Sequence, residues 1–167
     1  ELGKAISNRF NQTYYGRYGT PTTFYLEEGI AEIENAYRTI ATSSGMSSIS
    51  ITLLSFLSKD QHCLISDCTY YPTKKFAMKI LSKFGVNIDF YDPNDLNGLK
   101  KKINTKTKVI FMESPASLTF EIEDISEIIK IAKKRKIITM IDNSWATPLY
   151  FSPINVGIDV SILAATK

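Results

Sequence analysis

Cysteine, histidine and long apolar runs are scarce in this 167-residue chain, and each scarcity removes a class of explanation. Two cysteines, Cys63 and Cys68, with one histidine, His62, cannot supply the usual four ligands of a zinc site, so both thiols are read as reduced. No apolar run approaches the roughly 18 residues of a membrane span, and nothing resembles a signal peptide, so a soluble, cytoplasmic protein without membrane partners is expected. Charge of one sign is also lacking: 20 Lys and Arg against 17 Asp and Glu leave a net +3, which argues against nucleic acid as a partner. The one dense basic stretch, Lys133-Lys134-Arg135-Lys136, closes a predicted helix, where cations complement the dipole and face solvent. Neither GxxxxGK[ST] nor GxGxxG occurs, which disfavours the common nucleotide cofactors. Internal repeats and low-complexity linkers are absent as well.

What is present is an alternation. The length suits a single domain, and a 44% apolar fraction is enough for a sizeable core. Apolar spacing predicts helices over Phe24–Asn35, Ser47–Leu57, Pro72–Lys83, Asn94–Ile103 and Asp124–Arg135, the last capped by Asp124. Strands are predicted over Tyr37–Thr42, His62–Ser66, Val86–Tyr91, Val109–Glu113, Ile137–Asp142 and Ile158–Ala164. Near-continuous apolar strands such as Val109-Ile110-Phe111-Met112 belong in a parallel sheet covered on both faces. The expected architecture is a three-layer α/β/α sandwich with a mostly parallel sheet.

Ligands in such sheets bind beyond the carboxyl ends of the strands, so the residues after each strand are the candidates. Ser43-Ser44-Gly45-Met46-Ser47-Ser48 opens an apolar helix and offers unpaired backbone amides to a phosphate, although an ordinary capping start accounts for it too. Asp142 ends a buried strand, where a carboxylate could pair with a protonated ring nitrogen or simply cap the next helix. Lys167 follows the next predicted strand; if the two strands are neighbours about 4.8 Å apart, both ends converge on one site. A lysine in low dielectric there can make a Schiff base, while a solvated chain-end lysine is the plain alternative. Tyr70, before Pro72, offers an aromatic face at the sheet edge. In Tyr15-Gly16-Arg17-Tyr18-Gly19, an arginine beside a phenol suits a phosphate.

Together these residues resemble the transsulfuration, or Cys/Met metabolism, group of fold-type I pyridoxal-phosphate enzymes, and most closely its bacterial cystathionine β-lyases. Tyr15-Gly16-Arg17-Tyr18-Gly19-Thr20-Pro21-Thr22 looks like the group's Y-x-R-x-G-x-P-T segment, which by resemblance carries Tyr15 and Arg17 to a neighbouring subunit's cofactor phosphate. Gly45 and Met46 match the residues whose amides hold the phosphate. Tyr70 matches the tyrosine stacked on the ring, and Asp142 in Asp142-Asn143-Ser144-Trp145 matches the partner of the pyridine nitrogen. Thr166-Lys167 matches the threonine and Schiff-base lysine. Glu113-Ser114-Pro115-Ala116-Ser117-Leu118-Thr119 in place of E-S-P-x-N-P, and Trp145 in place of phenylalanine, favour the β-lyase branch. One departure is Ala164, three residues before the lysine, where many members carry a phosphate-binding serine.

The resemblance implies pyridoxal 5′-phosphate as cofactor, a small sulfur amino acid as substrate, and a homo-oligomer, dimer or tetramer, of the methionine-biosynthetic kind. It implies β-elimination of L-cystathionine to homocysteine, pyruvate and ammonia, with Lys167, Tyr70 and Tyr15 catalytic; a γ-acting relative is the enzymatic alternative. The expected organisation is a segment over 1–21 that serves a neighbouring site and a cofactor-binding domain over 22–167. Opening on Glu1 and stopping at Lys167, the chain is expected to be part of a longer product, or else an inactive remnant acting in binding or assembly.

Overall fold

The computed structural model describes residues 13 and 15–166, which form two compact units, one through Ala41 and one from Thr42 onward. In the first unit, a 3-10 turn over Gly16–Tyr18 precedes helix α1, Pro21–Glu34. Proline at the first turn suits a position whose amide has no partner within the helix, and Thr20 and Thr23 cap each other reciprocally, with the Thr20 N–H donating to Thr23 Oγ1 at 3.2 Å. Asn35, left-handed at φ 52°, ends the helix. The strand expected over Tyr37–Thr42 does not form, and the segment is irregular. Its apolar positions found no sheet: Tyr37 and Ile40 are exposed, and the Ala41 N–H donates to the Glu27 carboxylate at 2.8 Å instead of to a strand.

The second unit is a five-stranded sheet in the order β2-β1-β3-β4-β5, with every adjacent pair parallel. The strands are β1 His62–Ser66, β2 Asn87–Tyr91, β3 Thr107–Glu113, β4 Ile138–Asp142 and β5 Val160–Ile162. Helices α2 Gly45–Phe56, α3 Tyr71–Lys79, α4 Leu96–Lys102, α5 Ile125–Arg135, α6 Thr147–Tyr150 and α7 Pro153–Val156 connect them. The helix expected over Pro72–Lys83 is divided: α3 stops at Lys79, and a 3-10 turn over Leu81–Phe84 drops Leu81 into the core before left-handed Gly85.

Period-two alternation along the strands builds two cores. On one face Cys63, Ile65, Val109, Phe111, Met140 and Ile162 pack with Ile49 and Leu53 of α2 and Ala77 of α3. On the other, Leu64, Ile110, Met112 and Ile141 pack with Leu99 of α4 and Ile128 and Ala132 of α5. Helices therefore cover both faces, as a fully buried parallel sheet requires. The order also has a reversal: from β1 the chain moves outward to β2, then crosses back to β3 and continues to β5. The crevice between β1 and β3 is thus the topological switch point, where ligands of such sheets bind.

Candidate cofactor-binding site at the carboxyl edge of the sheet

Because all five strands run the same way, Ser66, Tyr91, Glu113, Asp142 and Ile162 end at one edge. Glu113 and Asp142 are register partners at the ends of β3 and β4, and Asp142 pairs in turn with Ile162 of β5. The expectation that the strand carrying Asp142 adjoins the strand leading to Lys167 therefore holds. Lys167 itself lies outside the described residues, and Thr166 is exposed in the turn that follows β5.

The Asp142 carboxylate is buried, and its Oδ1 accepts the Ser144 N–H at 3.0 Å, which orients it just past the strand. Asn143 is wholly buried: its N–H donates to the Ile162 carbonyl at 2.7 Å and its side-chain amide to the Phe151 carbonyl at 3.0 Å, so this strand end is fixed from two sides.

Helix α2 begins at the same edge. Ser44 caps it by accepting the Ser47 N–H at 3.1 Å, which leaves the first-turn amides of Gly45 and Met46 without a carbonyl of the helix to bond. A Cβ placed on Gly45 would stand 2.8 Å from the Ala164 Cβ, closer than carbon atoms approach, so the helix can start against the end of β5 only with glycine there. Ala164 N–H donates to Ser144 Oγ at 2.8 Å, tying the segment after β5 to the loop after Asp142. A serine hydroxyl is not available at position 164, but backbone amides at a positive helix end are.

Tyr70 is half exposed and caps the start of α3 with its carbonyl, accepting the Thr73 N–H at 2.9 Å. Its own N–H donates to Glu113 Oε2 at 2.7 Å. The preceding loop is held by the Lys74 ammonium, which bonds both the carbonyl and the carboxylate of Asp67. Behind it lies a carboxylate network that sequence reasoning missed. Tyr91 Oη donates to Glu123 Oε2 at 2.6 Å, Glu123 Oε1 accepts the Glu113 N–H at 3.2 Å, and the Glu123 N–H donates to Ser114 Oγ at 3.0 Å. Burial pushes the Glu113 carboxyl up to about 7, helped by the charges of Asp142 and Glu123 and opposed by the Tyr70 amide. Burial likewise lifts Glu123 to about 7 against its hydrogen bonds from Tyr91 and the Glu113 amide. A glutamate ending an otherwise apolar strand, as in Val109-Ile110-Phe111-Met112-Glu113, was the available signal.

After the cis Ser114–Pro115 peptide the chain turns back on itself, with Ala116 N–H donating to the Glu121 carbonyl at 2.9 Å. Phe120, which follows the stretch read as a branch marker, meets the other marker, Trp145, edge to face at 5.8 Å between centroids. In the first unit Tyr15 and Arg17 are exposed, and the Arg17 guanidinium lies 4.7 Å from the centre of the Tyr15 ring. Among the described residues there is no group of His, Cys, Asp or Glu suited to a metal ion, and no helix long and apolar enough to cross a membrane.

A buried carboxylate, a glycine-started helix end and a half-exposed phenol at one sheet edge fit a phosphorylated pyridine. The family model for the Cys/Met metabolism PLP-dependent enzymes matches residues 2–167. The chain belongs to this family. It is 43% identical over 154 residues to the L-alanine/L-glutamate racemase of Wolbachia pipientis, covering 92% of this chain and 38% of the relative. With the cystathionine beta-lyase MetC of Escherichia coli it shares 37% over 166 residues, 98% of this chain and 42% of that protein. A solved Campylobacter jejuni structure, described as a putative O-acetylhomoserine (thiol)-lyase with N′-pyridoxyl-lysine-5′-monophosphate, superposes with TM-score 0.91 at 32% identity. That match covers 100% of this chain and 42% of the other. The fold is that of the family's pyridoxal-phosphate enzymes, and the chain spans about two fifths of the relatives it matches.

Proposed function

We propose that the protein is a carbon–sulfur lyase that eliminates the β-substituent of L-cystathionine, giving homocysteine, pyruvate and ammonia. The observation that carries the reading is the buried Asp142 carboxylate at the end of β4, beside the β5 strand that leads to Lys167. When bound, pyridoxal phosphate supplies an electron sink for the pair left at the substrate α-carbon. The chain's residues do the rest. Asp142 holds the ring nitrogen protonated, the amides of Gly45 and Met46 with Thr166 bind the phosphate, and Tyr70 stacks on the ring. Lys167 anchors the cofactor and, once released by the substrate amine, takes the α-proton. Tyr15 and Arg17 reach the phosphate of a second copy, which makes the working form at least a dimer. On this reading residues 1–21 serve a neighbour's site and 22–167 hold the cofactor.

Two observations supply a second reading each. The racemase relative shares the same first task, removal of an α-proton, but returns the proton instead of expelling a thiolate. The thiol-lyase neighbour is named for a homoserine ester, whose leaving group sits on the γ-carbon. Product analysis separates all three: pyruvate from L-cystathionine marks β-elimination, 2-oxobutyrate marks γ-elimination, and D-alanine from L-alanine marks racemisation. A visible absorbance band gained with pyridoxal phosphate and abolished by hydroxylamine is expected first. Its absence would remove all three readings together.

A further inference from the structure

The Tyr70 amide is bonded across the switch point to a buried carboxylate that the proposed chemistry does not use. Glu113, only 8% exposed, ends β3, and its Oε2 accepts the Tyr70 N–H at 2.7 Å over 43 residues of sequence. The contact is supported from behind. The Glu113 N–H is fixed by Glu123 Oε1 at 3.2 Å, and Glu123 is fixed by Tyr91 Oη at 2.6 Å. In front, Glu113 is the register partner of Asp142, so one strand end holds the tyrosine loop and adjoins the strand end that carries the carboxylate assigned to the ring nitrogen. Cys68 adds a weak bond to the Glu113 carbonyl at 3.9 Å, which leaves the loop over Asp67–Tyr70 held to β3 at two points.

A buried carboxylate is costly, and a loop amide alone would be satisfied by a carbonyl or a water. Glutamate reaches the amide from the strand end that also sets the Asp142 position, so the separation of the two groups meant to flank the ring is fixed by backbone geometry. Tyr70 is otherwise half exposed, at the residue that precedes a helix. We propose that Glu113 is a positioning residue: through the Tyr70 amide it sets the stacking tyrosine at a fixed distance from Asp142. This deepens the pyridoxal-phosphate reading above and rests on it.

The test uses the full-length protein with Glu113→Ala, Glu113→Gln and Tyr70→Ala, and the double variant Glu113→Ala/Tyr70→Ala. Two signals are read: hydrogen exchange of the Tyr70 amide in cofactor-free protein, and visible circular dichroism of the bound cofactor. Loss of a charge-assisted hydrogen bond speeds Tyr70 exchange about tenfold in Glu113→Ala. Its dichroic band falls to the Tyr70→Ala level, and the double variant falls no further. Glu113→Gln keeps an oxygen acceptor and returns both signals to within about twofold of the parent, by the same hydrogen-bond accounting. If Glu113→Ala does not fold, Glu113→Met, of similar length without an acceptor, takes its place. An unchanged dichroic band in the acceptor-less variant, even with faster exchange, would overturn the proposal, as would additive losses in the double variant. A purely structural glutamate lowers the melting temperature and leaves the dichroism alone. Should the parent protein bind no pyridoxal phosphate, the functional reading fails and this one with it, whereas a failure in the variants alone leaves the functional reading standing.

Discussion

The two edges of the sheet both bury polar side chains, and they use them differently. At the amino edge His62, first residue of β1, is bonded through Nδ1 to Thr107 Oγ1 at 2.7 Å and to the Asn104 amide at 3.1 Å. Its Nε2 stands 3.2 Å from Asp89 Oδ2, off the line of a good hydrogen bond. Burial pushes this imidazole below its ordinary range, against the pull of Asp89. Hydrogen bonds through Nδ1 and the proximity of Asp89 to Nε2 tie β1 to β3 and β2, with no group turned toward the loops at the other end. At the carboxyl edge Glu113 and Asp142 accept hydrogen bonds from loop amides, those of Tyr70 and Ser144, while Glu123 accepts the Tyr91 hydroxyl and the Glu113 amide at the end of β3 and so backs them from behind. Burial of a titratable group therefore does not mark a site by itself. Glu113 and Asp142, the two that reach loops beyond the strand ends, are the ones that stand at the candidate site.

That contrast can be broken at several points. The largest effect is expected at Lys167: replacing it with alanine in the full-length protein lowers turnover of the preferred substrate by roughly 10²–10⁴-fold, the range for loss of a general base, and removes the hydroxylamine-sensitive band. Steady-state assays with the spectrum as control check this.

The carboxyl edge should next reveal itself through pH. Glu113 and Glu123 are raised from 4.5 to about 7, so between those values the unfolded chain has released protons that the folded chain keeps. Stability then falls as pH rises through that window and levels off above it, by on the order of 3 kcal/mol per group. Urea unfolding from pH 4.5 to 8 measures the decline, and a Glu113→Gln/Glu123→Gln variant should flatten it. His62 acts with the opposite sign: held neutral by burial, it costs stability as pH falls below 6.5, so the amino edge cannot produce the same limb.

Gly45→Ala forces the α2 start away from Ala164, whose Cβ it would meet at 2.8 Å. About 1–3 kcal/mol of overpacking is expected, read as roughly tenfold or weaker pyridoxal-phosphate affinity by fluorescence titration. His62→Ala should be the mildest, taking one hydrogen-bond partner from each of the Thr107 and Asn104 side chains for about 1–2 kcal/mol of stability with the cofactor spectrum unchanged. A spectrum altered by His62→Ala and untouched by Gly45→Ala would reverse the assignment of the two edges.

The sequence made the sheet legible where strands are apolar throughout. His62–Ser66 has the expected bounds, and Ile138–Asp142 and Thr107–Glu113 end where their hydrophobic runs meet an acid. Tyr37–Thr42 misled because β-branched and aromatic residues favour a strand only where a sheet offers a partner, and among the described residues no strand pairs with it. The single-turn helices α6 and α7 escaped since four residues carry no period, although Pro148 and Pro153 marked their starts. Asp142, Tyr70 and Gly45 were visible as residues after strands or before a helix. The Tyr91–Glu123–Glu113–Tyr70 chain was not, because its bonds join positions 32, 10 and 43 residues apart, and only the strand order brings them together.

Everything in the functional account turns on Lys167 emerging beside Asp142 from the neighbouring strand. Borohydride reduction of the full-length protein with pyridoxal phosphate, followed by peptide mapping by mass spectrometry, tests this directly. The account predicts a pyridoxyl adduct on the peptide that contains Lys167 and on no other lysine. An adduct on Lys74 or another surface lysine, with Lys167 unmodified, would contradict it.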